Sequence, residues 1–260
     1  MPTPGTSDVI VIGCGNAALC AALAARGHGG SVLIPEKATE HERGGNSFFT
    51  AGAFRFAHGG LADLRRDILT DLSDEEAATI EVPPYSESQF RDDFHRVTEG
   101  LTGPDLSEHL IRRSRATVAW MRERGLRWIL MHGRQSYMVG GKHRFWGGLN
   151  VEAVGGGPGL VQMLLERAEA AGIEVRYAHA AHRLIQDERG RVIGVQARTP
   201  DGLREFDARA IVIASGGFEA NPEWRTRYLV RDWDHAKVRG TRHNSGEGNR
   251  MALDIGAQAY

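Results

Sequence analysis

Two glycine-bearing segments near the start of the chain carry residue types whose spacing can do chemistry. The first, VIVIGCGNAALCAALAA over residues 9–25, reads as strand, tight turn and helix, with Gly13, Gly15 and Ala18 at the G-x-G-x-x-G/A positions. Such a turn lets backbone N–H groups and a helix N-terminus approach a pyrophosphate. Glu36 closes the next strand, SVLIPE, 23 residues after Gly13, where an acid can bind a ribose hydroxyl. A bare G-x-G-x-x-A serves NAD, FAD or NADP, and some glycine turns only pack a helix on a sheet. Strand, helix, second strand and acid in register predict a dinucleotide site.

The second segment, EKATEHERGGNSFFTAGAFRF over residues 36–56, bears on which dinucleotide. A nicotinamide domain runs at this point into another helix and strand. Here a small, polar, glycine-bearing stretch follows instead. Glycine lets a backbone pass close under a pyrophosphate and a flavin ring. Asn46, Ser47 and Thr50 supply hydrogen bonds to ring and phosphate. Taken alone, the same stretch also reads as an ordinary loop.

Residues 8–37 predict the β-α-β unit that positions these groups, with Ala17, Ala18, Ala21, Ala22, Ala24 and Ala25 as the helix face against the sheet. Pro35 falls near the end of the second strand, where a missing N–H is tolerated. Residues 57–150 read as mostly helical. Ser73 with Glu76 predicts a capping box, Leu106, Leu110, Ile111, Val118 and Met121 outline an apolar helix face, and Gly125 a C-cap. A helix over 159–171 follows a GGG run, which either brings backbone close to a ligand or forms a turn. IEVRYAHAAHRLIQ reads as a strand, RVIGVQART and LREFDARA as a hairpin around PDG, and AIVIASGG as a buried parallel strand. No linker or repeat divides the chain, so it reads as one domain over 1–260.

Hydrophobic residues are 41% and charged residues 25% of 260, with a net charge of −1. That balance excludes nucleic acid and an anionic membrane as partners recognised by charge. No apolar run approaches the roughly 20 residues of a membrane span. MPTPGTSD has neither the charge nor the apolar stretch of a signal peptide, so a cytoplasmic protein is expected. Cys14 and Cys20, six apart on one helical segment, point to different faces and predict no disulfide. His179 and His182 at i and i+3 of a strand face opposite ways, and no metal site is expected.

EK…RGGNS…TAGAFRF resembles the fumarate reductase/succinate dehydrogenase flavoprotein superfamily. GRQSYMVGGKHRFWGGLNVEAVGGGPGL, ASGGFEANPEWR and KVRGTRHNSGEGNRMALDIGA narrow the resemblance to the FAD-dependent tricarballylate dehydrogenases. It runs from about residue 8 to 260. It implies an α/β, Rossmann-like FAD-binding domain with a parallel sheet, a β-meander and a helical insertion. It implies that Gly13, Gly15, Asn16, Ala17 and Ala18 hold the pyrophosphate, with Glu36 and Lys37 at the adenosine ribose. Asn46, Ser47, Thr50, Ala51 and Gly52 line pyrophosphate, ribityl chain and flavin. His179, Ala180 and Ala181 meet adenine. Ala214, Ser215 and Gly216 form the tip of the last strand. Glu247 stands where the family has the Asp of TGDG, which meets the ribityl chain. Membrane-complex members link FAD to a histidine, and Asn46 occupies that place. An amide cannot form the link, so the FAD is expected to be non-covalent.

The implied reaction is hydride exchange between a CH–CH unit flanked by carboxylates and the flavin, with tricarballylate giving cis-aconitate. The family's catalytic arginines and substrate-clamping histidines lie downstream of the NSGEG-like motif, in a capping domain and the return from it. Tyr260 is 12 residues after Gly248. The chain is therefore expected to be the amino-terminal portion of a longer enzyme, without the cap and with no catalytic residue of its own. Uncovered apolar surface and self-association are expected of it. His143, Arg144, Arg239, Arg242 and His243 either help bind a tricarboxylate or serve structure. A membrane or iron–sulfur electron acceptor is an implied partner. The competing readings are a nicotinamide-dependent dehydrogenase, which GGNSFFTAG and the meander disfavour, and a non-catalytic flavin subunit completed in trans. A fumarate reductase or 3-ketosteroid dehydrogenase is the alternative enzyme.

Overall fold

The apolar run Val9-Ile10-Val11-Ile12 sits directly before the first glycine turn and forms an interior strand of the largest sheet. The computed structural model describes residues 6–259. In chain order the elements begin with β1 (Thr6–Ile12), α1 (Asn16–Gly27), β2 (Val32–Pro35), α2 (Gly45–Phe48), β3 (Ala53–Phe54), α3 (Leu61–Asp67), α4 (Asp74–Ala78) and β4 (Ile80–Glu81). They continue with α5 (Glu87–Thr98), α6 (Pro104–Glu123), β5 (Trp128–Leu130), α7 (His132–Gln135), β6 (Ser136–Val139), β7 (Lys142–Phe145) and β8 (Val151–Ala153). The last are α8 (Gly156–Ala170), β9 (Glu174–Arg176), β10 (Ala180–Gln186), β11 (Val192–Thr199), β12 (Gly202–Ile213), α9 (Pro222–Tyr228) and α10 (Glu247–Asp254). The chain divides into two compact units: residues up to Thr50 together with Val161–Ala259, and Ala51–Leu160.

In the first unit six strands pair in the order β10-β11-β12-β1-β2-β9. β1 runs parallel to β2 and to β12, from Thr6 opposite Asp207 to Ile12 opposite Ile213. β9 runs parallel to β2, and β10, β11 and β12 form an antiparallel meander. Ala181, Leu184, Val195, Ala197, Phe206 and Ala208 of the meander pack with Ile10, Ile12, Leu33 and Met251 in one buried cluster. α1 buries Ala18, Leu19, Ala22 and Leu23. This mixed stripe, spaced i, i+1, i+4, i+5, replaces the all-alanine face expected from the sequence.

Two strand expectations change. IEVRYAHAAHRLIQ is not one strand: it breaks into β9 and β10 at Ala178, whose φ is 56°. The Ala178 and His179 N–H groups donate to Ala38 O (2.9 Å) and Glu36 O (2.8 Å), so the chain turns past the end of β2. Conversely, LREFDARA and AIVIASGG form the single strand β12. No glycine or proline interrupts Asp207–Ala210, so its first half pairs with β11 and its second with β1. Its end is not fully buried, since Val212 and Ile213 are 38% and 37% exposed.

The second unit holds the stretch read as helical, and it also contains two three-stranded sheets, β3-β8-β5 and β4-β7-β6. Their strands have two to four residues each, too few for an alternating pattern to show. α4 and α5 start on reciprocal capping boxes, Ser73 with Glu76 and Ser86 with Gln89. α6 buries Ser107, Ile111, Val118 and Met121, while Leu106 and Leu110, expected on that face, point outward. Gly125, φ 93°, ends the helix, donating to Arg122 O at 2.9 Å. No described helix is long and apolar enough to cross a membrane.

The GGG run opens α8 three residues before the predicted start. Gly156 of the run and Gly159 just after it lie close against main chain. A Cβ on Gly159 would lie 1.9 Å from Val154 O, and one on Gly52 would lie 2.6 Å from the Gly156 carbonyl carbon. Relief at either place requires the main chain to move. Gly159→Ala is therefore expected to destabilise the protein by about 2 kcal/mol or more, read as a lowered denaturant midpoint at unchanged slope.

Candidate functional site

The C-terminal ends of β1, β2 and β12 converge on one cleft in the first unit. Gly13 makes the convergence possible. Its φ is 103°, its N–H donates to Pro35 O at 3.0 Å, and a Cβ there would lie 2.8 Å from Ala214 O. Gly15 caps α1 without a side chain, leaving the start of a 12-residue helix open toward the cleft. The N-terminal end of its dipole favours an anion. The Asn16 N–H donates to the Ser47 hydroxyl at 3.0 Å, which ties α2 to this turn.

Glu36 sits at the β2 end, 7% exposed, and accepts from Ala38 N at 2.7 Å. Burial raises its carboxyl above the usual range, outweighing the hydrogen bonds from Ala38 and Cys14 and the nearby His243. Burial likewise pushes the Cys14 and Cys20 thiols up to about 12, so neither is a thiolate at neutral pH and both remain free. Lys37 reaches Glu247 Oε1 at 2.6 Å and also donates to the Ser245 hydroxyl. For Glu247 burial acts upward, but the Lys37 and Ser245 contacts win and its carboxyl lies below the usual range.

The cleft brings together Gly13, Gly15, Asn16, Ala17, Glu36, Lys37, Asn46, Ser47, His179, Ala181, Ala214, Ser215, Gly216 and Glu247. Ala18 does not line it, being wholly buried on the inner face of α1. Ala180 is absent from the lining because successive strand residues face opposite sides, and Ala181 takes the inward place. Thr50 also falls outside the lining, its hydroxyl donating to Ser47 O at 2.9 Å. Ala51 and Gly52 belong to the second unit.

The lining also includes Glu42, Thr241, His243 and Asn244, which the motifs did not single out as cofactor contacts. Their signal was proximity, since three of them directly precede Ser245 in NSGEG. His243 Nε2 lies 3.2 Å from Glu42 Oε2, and Arg242 pairs with the same carboxylate at 2.8 Å. Arg239 is exposed and does not line the cleft. His143 and Arg144 lie on β7 in the second unit, where His143 packs on the His132 ring and Arg144 faces Glu81 at 3.8 Å. No cluster of His, Cys, Asp and Glu able to hold a metal occurs among the described residues.

Arg225 is 7% exposed and spends its guanidinium on main-chain carbonyls: Trp233 O at 2.8 Å, Asp234 O at 3.1 Å, Ala236 O at 3.2 Å, and Glu219 O. It organises residues 219–236. Lysine cannot span these carbonyls, so Arg225→Lys is expected to cost about 2 kcal/mol in thermal or chemical unfolding.

Glycine-lined strand ends, an open helix N-terminus and a buried acid closing the second strand define a dinucleotide-binding α/β fold. Residues 8–260 match the FAD binding domain family, and the chain belongs to it. FAD is thus the cofactor, and the cleft fits it: a positive-φ glycine, an open helix N-terminus and the buried Glu36 directly after β2 all line it. The chain is 26% identical over 255 residues to vinyl phenol reductase of Lactiplantibacillus plantarum, covering 97% of this chain and 46% of that protein. It is 29% identical over 221 residues to fumarate reductase (cytochrome) of Shewanella frigidimarina, covering 84% of this chain and 34% of that one. 3-Ketosteroid Δ1-dehydrogenase from Sterolibacterium denitrificans shares the fold, with TM-score 0.74 at 20% identity, over 98% of this chain and 56% of its own. The chain spans less than half the length of these two curated relatives. Its family is one of FAD-dependent oxidoreductases, within the fumarate reductase/succinate dehydrogenase flavoprotein superfamily.

Glu36 gives a test that separates fold from binding. Its folded carboxyl titrates above the ordinary value, so its favourable contribution is complete below the ordinary carboxylate range and lost as pH rises through the folded value. Glu36→Gln, which cannot ionise, is expected to match the parent in melting temperature at pH 4 and exceed it at pH 7.5 without FAD. The same substitution should weaken FAD binding by about tenfold or more, measured by flavin fluorescence titration.

Proposed function

We propose that this chain forms the FAD-holding part of a flavoprotein that oxidises or reduces a carbon–carbon bond beside a carboxylate, with tricarballylate as the substrate. The observation that carries the reading is the cleft of the first unit, where a glycine turn, an open helix N-terminus and a buried acid share one wall. Gly13, Gly15, Asn16 and Ala17 hold the pyrophosphate. Glu36 and Lys37 hold the adenosine ribose, and His179 and Ala181 flank adenine. Ala214, Ser215, Gly216 and Glu247 run along the ribityl side. Bound FAD supplies two-electron chemistry at the substrate carbon.

The protein's own part is to bind and orient. The α1 N-terminus and the amides of the Gly13 turn offset phosphate charge. Lys37 and the Ser245 hydroxyl fix the Glu247 carboxylate, which would accept from a ribityl hydroxyl. Asn46 has no nucleophilic nitrogen, so FAD is held without a covalent link. Motifs such as KVRGTRHNSGEG favour tricarballylate. The similarity to a fumarate reductase favours a second reading, an unsaturated dicarboxylate reduced with electrons from a haem or iron–sulfur partner. In either case no arginine lines the cleft among the described residues, so the groups that clamp a carboxylate are proposed to lie elsewhere.

The test splits protein purified with FAD: one portion is precipitated with acid, and native portions receive tricarballylate anaerobically and, once reduced, fumarate. All flavin should remain in the supernatant as intact FAD. Flavin in the pellet would disprove non-covalent binding, and NAD in its place would disprove the cofactor assignment. Bleaching of the chain's own flavin by tricarballylate would move the chemistry onto residues present here.

A further inference from the structure

The segment Gly240–Asn244 forms part of the cleft wall through side chains rather than through secondary structure. Thr241 is 5% exposed and Asn244 7%, whereas Arg231–Arg239 directly before them is exposed throughout. The Thr241 N–H donates to Asn46 Oδ1 at 2.9 Å, and its hydroxyl accepts from His243 N at 3.2 Å. His243 and Arg242 then reach Glu42, and Lys37 donates to the His243 carbonyl at 3.4 Å. Glu42 and the charged pairs are rim contacts, of small worth individually. The Asn46 bond instead holds the main chain of the buried Thr241, while the far end of the segment is held by the Ala220 N–H, which donates to Asn244 O at 2.9 Å.

Gly240 records how tight this anchor is. A Cβ at that position would lie 2.4 Å from Asn46 Oδ1, and the next atoms met are also those of the Asn46 carboxamide. A side chain at 240 therefore collides with the anchor itself, not with backbone or with the cleft.

We propose that Asn46 is a positioning residue that holds the Gly240–Asn244 segment in the wall of the FAD cleft, so that it retains the cofactor through this segment. The proposal rests on the assignment of FAD to this cleft. It separates two roles for the carboxamide: contact with the cofactor, and attachment of the wall that faces it. Gly240 completes the device, because only a residue without a Cβ lets Asn46 reach Thr241.

The test is a double-mutant cycle of Asn46→Ala and Gly240→Ala with two readouts. The first is limited trypsin cleavage of the FAD-free protein at Arg239–Gly240, relative to cleavage at Arg231–Asp232. The second is the rate of FAD release. Each single substitution should raise both by about three- to tenfold, the worth of one hydrogen bond. The double variant should exceed neither single, since Asn46→Ala removes both the bond and the collision. Asn46→Asp, which keeps the acceptor oxygen, should restore the parental cleavage ratio. Independent, multiplying effects would overturn the proposal, as would an unchanged Gly240→Ala variant. Faster FAD release without faster cleavage would also overturn it and leave direct contact as the role of Asn46. If the parent protein binds no FAD, the cofactor assignment fails, and the cleavage ratios still judge the anchor.

Discussion

At the tip of β1 the Gly13 N–H meets Pro35 O at 3.0 Å, while the Ala214 N–H meets Ile12 O at 3.0 Å. These two bonds draw the ends of β2 and β12 against β1 with no side chain between them. The geometry holds only because Gly13 has a positive φ and no Cβ. From that junction the other features follow. β2 must end beside the turn, which places Glu36. β12 must end opposite it, which places Ser215 and Gly216. α1 must start at the turn, which aims its N-terminus between them. Gly216 and Gly248 extend the same constraint, since a Cβ on either would lie within 2.6 Å of Asn244 or Ser215 side-chain atoms.

Charge in this cleft is arranged with economy. Glu36 is buried and its ionised form is disfavoured by that burial, yet it is surrounded by the Ala38 and Cys14 N–H groups and by His243. Glu247 is less buried and is held ionised by Lys37. Two carboxyl groups on the same wall thus meet opposite environments. Burial raises the carboxyl of the first, and the Lys37 contact lowers that of the second.

The parts of the fold legible in the sequence were those with strong local chemistry. The Gly13–Gly15 turn, the apolar strands around it and the Ser73 capping box all rest on neighbours within a few residues. The two sheets of the second unit were not legible, because strands such as Ala53–Phe54 and Ile80–Glu81 are defined only by partners distant in sequence. The break at Ala178 was hidden for a similar reason: an alanine carries no turn signal, and its left-handed conformation is imposed by Ala38 and Glu36. Leu106 and Leu110 misled in the opposite way: of the expected apolar face Ile111, Val118 and Met121 are buried, and the polar Ser107 joins them while the two leucines face outward. At the cleft, Glu36 followed from motif spacing and Lys37 from the family resemblance, whereas Glu42 and Thr241 are recruited by tertiary hydrogen bonds alone.

Substrate choice and cofactor binding make different demands, and the cleft meets only the second. A dinucleotide needs close backbone, a helix N-terminus and a few fixed acceptors. A polycarboxylate needs guanidinium groups free to make bidentate contacts. The nearby arginines are already committed: Arg225 to four carbonyls, and Arg242 to Glu42. Releasing Arg225 would leave those carbonyls of residues 219–236 without their donor, a cost that a rim ion pair to a substrate does not repay. The wall of this cleft therefore suits FAD, the cofactor of its family, and among the described residues it presents no arginine to a carboxylate.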